Sequence, residues 1–445
     1  MKTLHLTNAY HATSGGIRTF YRAMLEAAEA EQREMVLVVP GAETGVEQLG
    51  RFTRICTIAA PHAPAFDRRY RMILPHRYFP LLGRELVGIL ARERPTLVEI
   101  CDKYSLPYFA AMLRKRWHAR VPRPVLVGLS CERFDDNMAA YLSRSAAARA
   151  FTRWYVRHIY GPPFDYHIAN SEYTARELRS ALHDRAPDFV RVCPMGVDTD
   201  GFGPERRSRE MRSRLLTRAG GSEKSVLLLY AGRVSPEKNL ALLVDVLREL
   251  VRDGSGDYRL IVAGDGPQAD WLRGQAAGAL AGRILLTGNL DRETLATVYA
   301  SCDVFVHPNA REPFGIGPLE AMAAGVPVVV PASGGVLEYA NPLNAWLAAP
   351  AVGPFTRAVR AAAAADPRRL AAARATAQRF RWSRITRRFF ATYDELHRSM
   401  PDTGLATGSP LISSYSYVIS NVDTPNRRSD ARETTRVGTR TPRIR

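Results

Sequence analysis

EPFGIGPLE, residues Glu312 to Glu320, is preceded by CDVFVHPNAR at 302–311 and runs on into AMAAG at 321–325. Val304 to Val306 form a short apolar run that Pro308 and Asn309 break, so the chain reads there as a strand entering a loop. EAMAAG is a run of helix formers closed by Gly325, and VPVVVP at 326–331 is a buried strand. The order strand, loop, helix, strand ends the loop at a helix N-terminus. Unpaired backbone N–H groups and the helix dipole favour an anion at such a place. Pro318 is expected at the first helical position, where its missing N–H would have no partner, with Glu320 in the first turn and Glu312 in the loop. Taken alone, Glu320 would be read only as a first-turn acid that complements the dipole. Two acidic acceptors beside an anion seat suit a ligand with both hydroxyls and phosphate, such as a nucleotide sugar.

Outward from this stretch, a chain of 445 residues exceeds one ordinary core, and two domains are expected. The hydrophobic share, 46%, is that of a globular protein, and no apolar run approaches the ~18 residues of a membrane helix. MKTLHLTNAY at the start reads as a first strand rather than a signal peptide. Cys56, Cys101, Cys131, Cys193 and Cys302 show no CxxC or His-paired spacing. That pattern argues for a reducing cytosol and against a disulfide frame or a zinc site.

The formal charge of +18 is uneven, since residues 51–160 alone carry a net +12. Basic residues concentrate at Arg68, Arg69 and Arg71, at Arg114, Lys115 and Arg116, and at Arg144, Arg149, Arg153 and Arg157. Tyr70, Trp117, Phe151, Trp154 and Tyr155 are interleaved with them. Such a face can rest on an anionic membrane surface or bind nucleic-acid phosphates, or be a solvated face of an Arg-rich protein. No nucleic-acid motif accompanies it, so no nucleic-acid partner is expected.

Along the chain, strand-like runs at Leu4–Thr7, MVLVV, LVEI, VLVGL and YHIANS make a first α/β half, with a helix from about Thr19. A linker, VRVCPMGVDTDGF, and a basic helix at 205–218 lead to a second half. That half reads SVLLLY, a helix ALLVDVLREL, YRLIVAG, a turn DGP and a helix, RILLTG, a helix LATVYASC, and the opening segment. Strands alternating with helices in both halves imply two doubly wound parallel-sheet domains. Residues 366–398 read as amphipathic helix with Phe380, Trp382, Ile385, Phe389, Phe390 and Tyr393 on or near one face. The tail from about 401 lacks helical periodicity and reads as disordered.

Two further constellations sit at strand ends. In AGRVSPEKNL, Arg233 projects from the C-terminal edge of the second sheet and Lys238 follows five residues later. A guanidinium fork and an ammonium point charge at that edge suit a diphosphate. In GGIRTF, Gly15 and Gly16 let backbone approach a ligand, and Arg18 adds charge. The full GxGxxG spacing and a following ribose acid are missing, so NAD is discounted and no cofactor is expected.

Together these residues resemble the retaining GT-B glycosyltransferases of family 4, mannosyltransferase-like members included, over roughly residues 1 to 398. EPFGIGPLE is similar to the family's E-x7-E motif. GRVSPEK at 232–238, IANSEYTARE at 168–177, PMGVD at 194–198, GDGP at 264–267 and SRITRRFFATYDEL support the match. The resemblance implies a GT-B fold, with two Rossmann-like domains facing a cleft. Residues 1–193 would be the acceptor domain and 194–375 the donor domain. A helix at 376–400 would cross back, and 401–445 would be a basic tail.

It also implies roles by position. Arg233 and Lys238 would hold the donor diphosphate and stabilise the leaving group. Glu312 would meet the donor sugar, Glu320 the ribose, and Gly16, beside Gly15, would close on the phosphate. Backbone around Phe314, Gly315 and Ile316 would help on sugar and phosphate, and loops at Gly264, Asp265, Asn289 and Leu290 would frame the base. The implied reaction moves a hexose from a nucleotide-diphospho sugar, GDP-mannose before UDP-glucose, to a lipid or glycan acceptor. A catalytically weak nucleotide-sugar-binding protein is the alternative. The expected location is the cytoplasm, including the inner face of the membrane.

The sequence departs from the family at two places. Many relatives carry a His after the strand that matches VLVGLS, where this chain has Cys131, followed by Glu132 as a pocket acid. Gly317-Pro318 replaces Val and a residue with an N–H. Asp198-Thr199-Asp200 matches a metal-binding D-x-D pattern but falls in the linker, so no metal is expected.

Overall fold

A computed structural model describes residues 1–399 apart from 12–14, 64–69, 80–84, 118–121, 144 and 255. The expected basic tail, 401–445, and Arg68, Arg69 and Arg144 lie outside the described residues.

The first eight strands are β1 Lys2–Thr7, β2 Glu34–Gly41, β3 Gly45–Gln48, β4 Thr53–Ala59, β5 Leu97–Cys101, β6 Val125–Ser130, β7 Tyr166–Ala169 and β8 Val190–Val192. They form one sheet in the order β3-β4-β2-β1-β5-β6-β7-β8. All neighbours are parallel except the edge pair β3–β4, which the sequence reading missed. Its cause is plain: GVEQ is exposed at every position, so it carries no apolar alternation. β4 was also missed because Arg54 and the two threonines interrupt its apolar residues.

The remaining strands are β9 Val226–Ala231, β10 Tyr258–Ala263, β11 Ile284–Gly288, β12 Val304–Val306, β13 Val328–Pro331 and β14 Trp346–Ala348. They form a second, all-parallel sheet in the order β11-β10-β9-β12-β13-β14. Both sheets reverse their strand order at β1/β5 and β9/β12. Ligands bind at such switch points, outside the carboxyl ends of the strands. Central strands are buried on both faces, which is why they read as continuous apolar runs.

The helix expected from about Thr19 starts at Gly16 and ends at Ala30. The amphipathic stretch at 366–398 is two helices, Pro367–Arg379 and Trp382–Ser399. Between them the chain passes from the second sheet to the first. There Val197 N donates to Phe380 O at 2.9 Å and Trp382 N to Val197 O at 3.1 Å, zipping the two interlobe crossings together. The last helix buries Ile385, Phe389, Phe390 and Tyr393, with Phe389 against Phe20 at 4.9 Å between ring centroids. Beneath it, register places His5 beside Glu99. Glu99 accepts from Tyr21 at 3.0 Å, pairs with His5 Nδ1 at 2.9 Å and accepts from Tyr393.

Candidate active site

Lys238 closes a short turn, Pro236–Lys238, after β9. Asn239 then takes a left-handed conformation (φ 55°), which turns the chain into helix Leu240–Arg252. That turn aims Lys238 across to the loop after β12, where its Nζ lies 2.8 and 3.1 Å from the two oxygens of Glu312. Asn309 donates to the same carboxylate at 2.9 Å. His307 Nε2 stands 3.3 Å away without hydrogen-bond geometry. Burial opposes charge on Glu312, but Lys238 and His307 outweigh it and hold the carboxyl far below the usual carboxylate range. Glu312 is therefore a fixed anion.

Helix Ile316–Ala323 begins one turn from Glu312. Gly315 caps it with φ 84°, a conformation that favours glycine, and its carbonyl accepts from Tyr339 Oη at 2.5 Å. Pro318 is thus the third helical residue rather than the first, and Glu320 the fifth. The glycine cap starts the helix two residues early, and Pro318 still falls among the four orphan N–H positions, so no hydrogen bond is lost. Gly317 is explained by packing: a Cβ there would stand 3.2 Å from the Phe305 ring and 3.3 Å from Tyr299 Oη. Glu320 accepts from Tyr299 at 2.9 Å; burial raises its carboxyl, and that hydrogen bond pulls the other way. Phe314 is buried against Tyr339 and Phe380, so its side chain belongs to the core and only its backbone borders the loop.

Backbone joins the neighbouring loops. Gly264 N donates to Gly288 O, Gly232 N to Ala263 O and Val234 N to Asp265 O, all at 2.9–3.0 Å. A Cβ on Gly264 would lie 2.0 Å from the Gly232 carbonyl, so only glycine permits this approach. Asn289 and Leu290 follow on the same edge, Asn289 exposed. Arg233 donates to Tyr70 Oη of the first lobe at 2.5 Å, with the Tyr70 ring 5.3 Å from its guanidinium carbon. Glu237, between Arg233 and Lys238, is turned away to Ser235 Oγ at 2.5 Å and Tyr141 Oη at 2.6 Å.

The first lobe meets this edge directly. Gly16 opens its helix beside Ile316, and a Cβ there would stand 3.2 Å from Ile316 Cδ1. Gly15 just before it is exposed. Ser171 caps helix Glu172–Ala181 and also donates to Pro313 O at 2.5 Å. Cys131 and Glu132 follow β6 within the first lobe. Burial pushes the Cys131 thiol well up, and Cys101 and Glu99 add to it, so the group is no ready nucleophile. Glu132 accepts from Asn137 at 2.8 Å; burial raises its carboxyl, opposed by Lys103, whose Nζ holds the Glu132 carbonyl at 2.6 Å. Asp198 accepts from Arg292 at 2.7 Å and from Gly201 N at 2.8 Å, so it serves as a structural turn acid.

Sequence reasoning placed Tyr70 only in the basic, aromatic face and missed Tyr299, His307, Asn309, Ser171 and Tyr339 at the site. His307 and Asn309 stand five and three residues before Glu312, where the polar break HPN was the available signal. Tyr70 and Tyr339 come from other elements and gave none.

Two family models match the chain: "Glycosyltransferase Family 4" over residues 14–201 and "Glycosyl transferases group 1" over residues 215–379. A GDP-mannose-dependent alpha-(1-6)-phosphatidylinositol dimannoside mannosyltransferase of Mycobacterium tuberculosis is 30% identical over 396 residues, covering 88% of this chain and 96% of that protein. The chain belongs to the family 4 glycosyltransferases. A GDP-mannose-dependent alpha-mannosyltransferase of Corynebacterium glutamicum is 25% identical, over 77% of this glycosyltransferase and 75% of the relative. Among solved structures, sucrose-phosphate synthase from Thermosynechococcus elongatus superposes with a TM-score of 0.72 at 20% identity, over 90% of this chain and 100% of that one. Anabaena HepE in complex with UDP and glucose gives 0.63 at 18% identity, over 89% and 100%. These establish the GT-B fold. The chain is a glycosyltransferase that uses a nucleotide sugar.

Proposed function

We propose that this glycosyltransferase moves mannose from GDP-mannose to a lipid or glycan acceptor with retention at the anomeric carbon. The observation that carries the reading is the Lys238–Glu312 pair at the switch point, set beside relatives whose names specify GDP-mannose. Arg233 and Lys238 neutralise the diphosphate; the Tyr70 hydroxyl now in the Arg233 fork gives way to a phosphate oxygen. Glu312, already ionised, accepts from sugar hydroxyls. Glu320 accepts from the ribose, and the glycine-built loops at Gly264 and Gly288 leave room for the base.

The bond from the anomeric carbon to the diphosphate oxygen breaks as the acceptor oxygen attacks the same face. The acceptor proton passes to the departing phosphate oxygen, so no side-chain nucleophile is needed. Catalysis then rests on positioning and on stabilising the leaving diphosphate by Arg233, Lys238 and the start of helix Ile316–Ala323. Glu312 and Glu320 are not a glycosidase pair. Cys131, a half-buried thiol whose pKa is pushed up, takes no part as a nucleophile.

A lipid acceptor is favoured by the surface of the first lobe. Helix Ala146–Tyr155 exposes Phe151 at 47% and Trp154 at 50%, near Leu142 at 67%, and carries Arg149 and Arg153. A helix that exposes stacked aromatics and carries arginines suits the anionic inner face of a cytoplasmic membrane. Among the described residues no helix is long and apolar enough to cross one.

A thermal-shift panel of nucleotide sugars tests the donor. GDP-mannose at about 100 times its Kd should add about 2.7 kcal/mol of stability. A shift with UDP-glucose alone would reassign the donor, and no shift with either would overturn the reading. Co-sedimentation should favour vesicles containing phosphatidylglycerol over phosphatidylcholine; equal recovery removes the membrane face.

A further inference from the structure

A cavity of about 600 Å³ opens at the hinge between the lobes, away from Lys238 and Glu312. Both interlobe crossings line it, one through Pro194 and the other through residues 379–388. Its floor is weakly polar, built from Tyr339, Phe380 and Ile385, and three guanidiniums stand around it: Arg379, Arg384 and Arg388. Arg379 donates to Thr376 Oγ1 at 3.2 Å and Arg388 to Val192 O at 2.8 Å, which tethers each while leaving other N–H groups of its fork unused. The Arg384 side chain bonds to no described residue. The acid in the lining, Glu338, accepts from Glu172 N at 2.9 Å and, among the described residues, makes no ion pair with any of the three.

We infer that this cavity is a second ligand site, which takes a phosphate monoester with a ring or other weakly polar body. Three arginines in the lining of one hollow supply the charge for a phosphate dianion, whose oxygens guanidinium forks bind in pairs. The aromatic floor gives the attached body a surface to stack on. The volume is that of a small-molecule site and exceeds what a bare phosphate fills.

Position gives the site a consequence. Arg379, Arg384 and Arg388 lie on or beside one crossing, and Pro194 lies on the other, three residues before the Val197 zipper. A ligand held there stiffens the hinge. Its floor residue Tyr339 also donates to the Gly315 carbonyl that caps helix Ile316–Ala323, so the site borders the catalytic loop through one hydrogen bond. Binding at the hinge therefore biases how far the cleft opens.

Isothermal titration of the full-length protein with phenyl phosphate and with inorganic phosphate, at matched ionic strength, tests the site. Phenyl phosphate should bind more tightly than inorganic phosphate. Arg384→Glu should weaken it at least tenfold, and because Arg384 is exposed and unbonded, the variant should keep the wild-type melting temperature. Lys238→Ala, on the catalytic edge, should leave phenyl phosphate binding unchanged. Equal affinity in wild type and Arg384→Glu overturns the inference. Loss of binding in Lys238→Ala also overturns it, since the anion then sits between the donor loops. Equal competition by chloride overturns it too, leaving general screening of a basic protein and an adventitious ion only.

Discussion

Glu312 and Glu99 are both buried carboxylates, and they are satisfied in opposite ways. Glu312 keeps about a tenth of its side chain exposed at the cleft and faces an ammonium, an amide and an imidazole from its own lobe. Glu99 is sealed, and its partners are an imidazole and two phenols from β1, the first helix and the last. A cation holds Glu312 ionised, and part of its side chain stays open to the cleft. Glu99 gives its acceptors to the protein itself and ties three distant segments together. The same group is a tool in one lobe and a fastener in the other.

Four measurements would break or sharpen that contrast. Glu99→Ala strands His5, Tyr21 and Tyr393 with unmet hydrogen bonds, and should cost about 3–5 kcal/mol in urea unfolding. A loss below about 1 kcal/mol would mean that Glu99 fastens nothing. Lys238→Ala should slow transfer about 10²–10³-fold, or about 3–4 kcal/mol of transition-state stabilisation, measured by steady-state kinetics. It should also let the Glu312 carboxyl climb, because the main counter-charge is gone. In wild type that carboxyl is depressed, so the stability of the pair is present above the ordinary carboxylate range. It is lost only as strongly acidic pH falls through the lowered value.

The third measurement concerns His167, a buried imidazole with no carboxylate beside it. Burial lowers it to about 3, and the nearby Gly161 carbonyl only partly offsets this. The unfolded chain then binds more protons below about pH 6.5, and stability falls as pH drops from there toward 3, by about 1.4 kcal/mol per unit. His167→Gln should flatten that acid slope; an unchanged slope would assign it to other groups. The smallest effect is expected at the interlobe contact between Tyr141 and Glu237, both at the surface. Tyr141→Phe should change stability by less than about 1 kcal/mol. A larger loss would show that the contact between the lobes depends on it.

How far the sequence could be read follows the same division. The second lobe was legible because the residues at the C-terminal edge of its sheet lie in short loops after apolar strands, where spacing alone sets position: Arg233 two residues after β9, Lys238 five later, Glu312 in the loop after β12. The start of helix Ile316–Ala323 was misplaced because Pro318 is a strong N-terminal signal, and the positive φ of Gly315 overrode it. The first lobe was legible at its central strands, but β3 and β4 were missed, β8 was read as linker because VRV runs straight into Pro194, and its contacts were not seen. His5 and Glu99 are partners across 94 residues and Glu99 and Tyr393 across 294, and no local pattern encodes such pairs. β3 escaped because an exposed edge strand needs no apolar face.

The Tyr393 contact also sets an order of assembly. The first lobe emerges from the ribosome long before the helix that covers Glu99. While the roughly 290 residues between Glu99 and Tyr393 are being made, Glu99 must wait with Tyr21 and His5 alone. A transcript cut short after the second sheet would release a chain whose second sheet is complete but whose first lobe lacks its closing helix. Such a product should be a substrate for chaperones or proteases rather than half an enzyme.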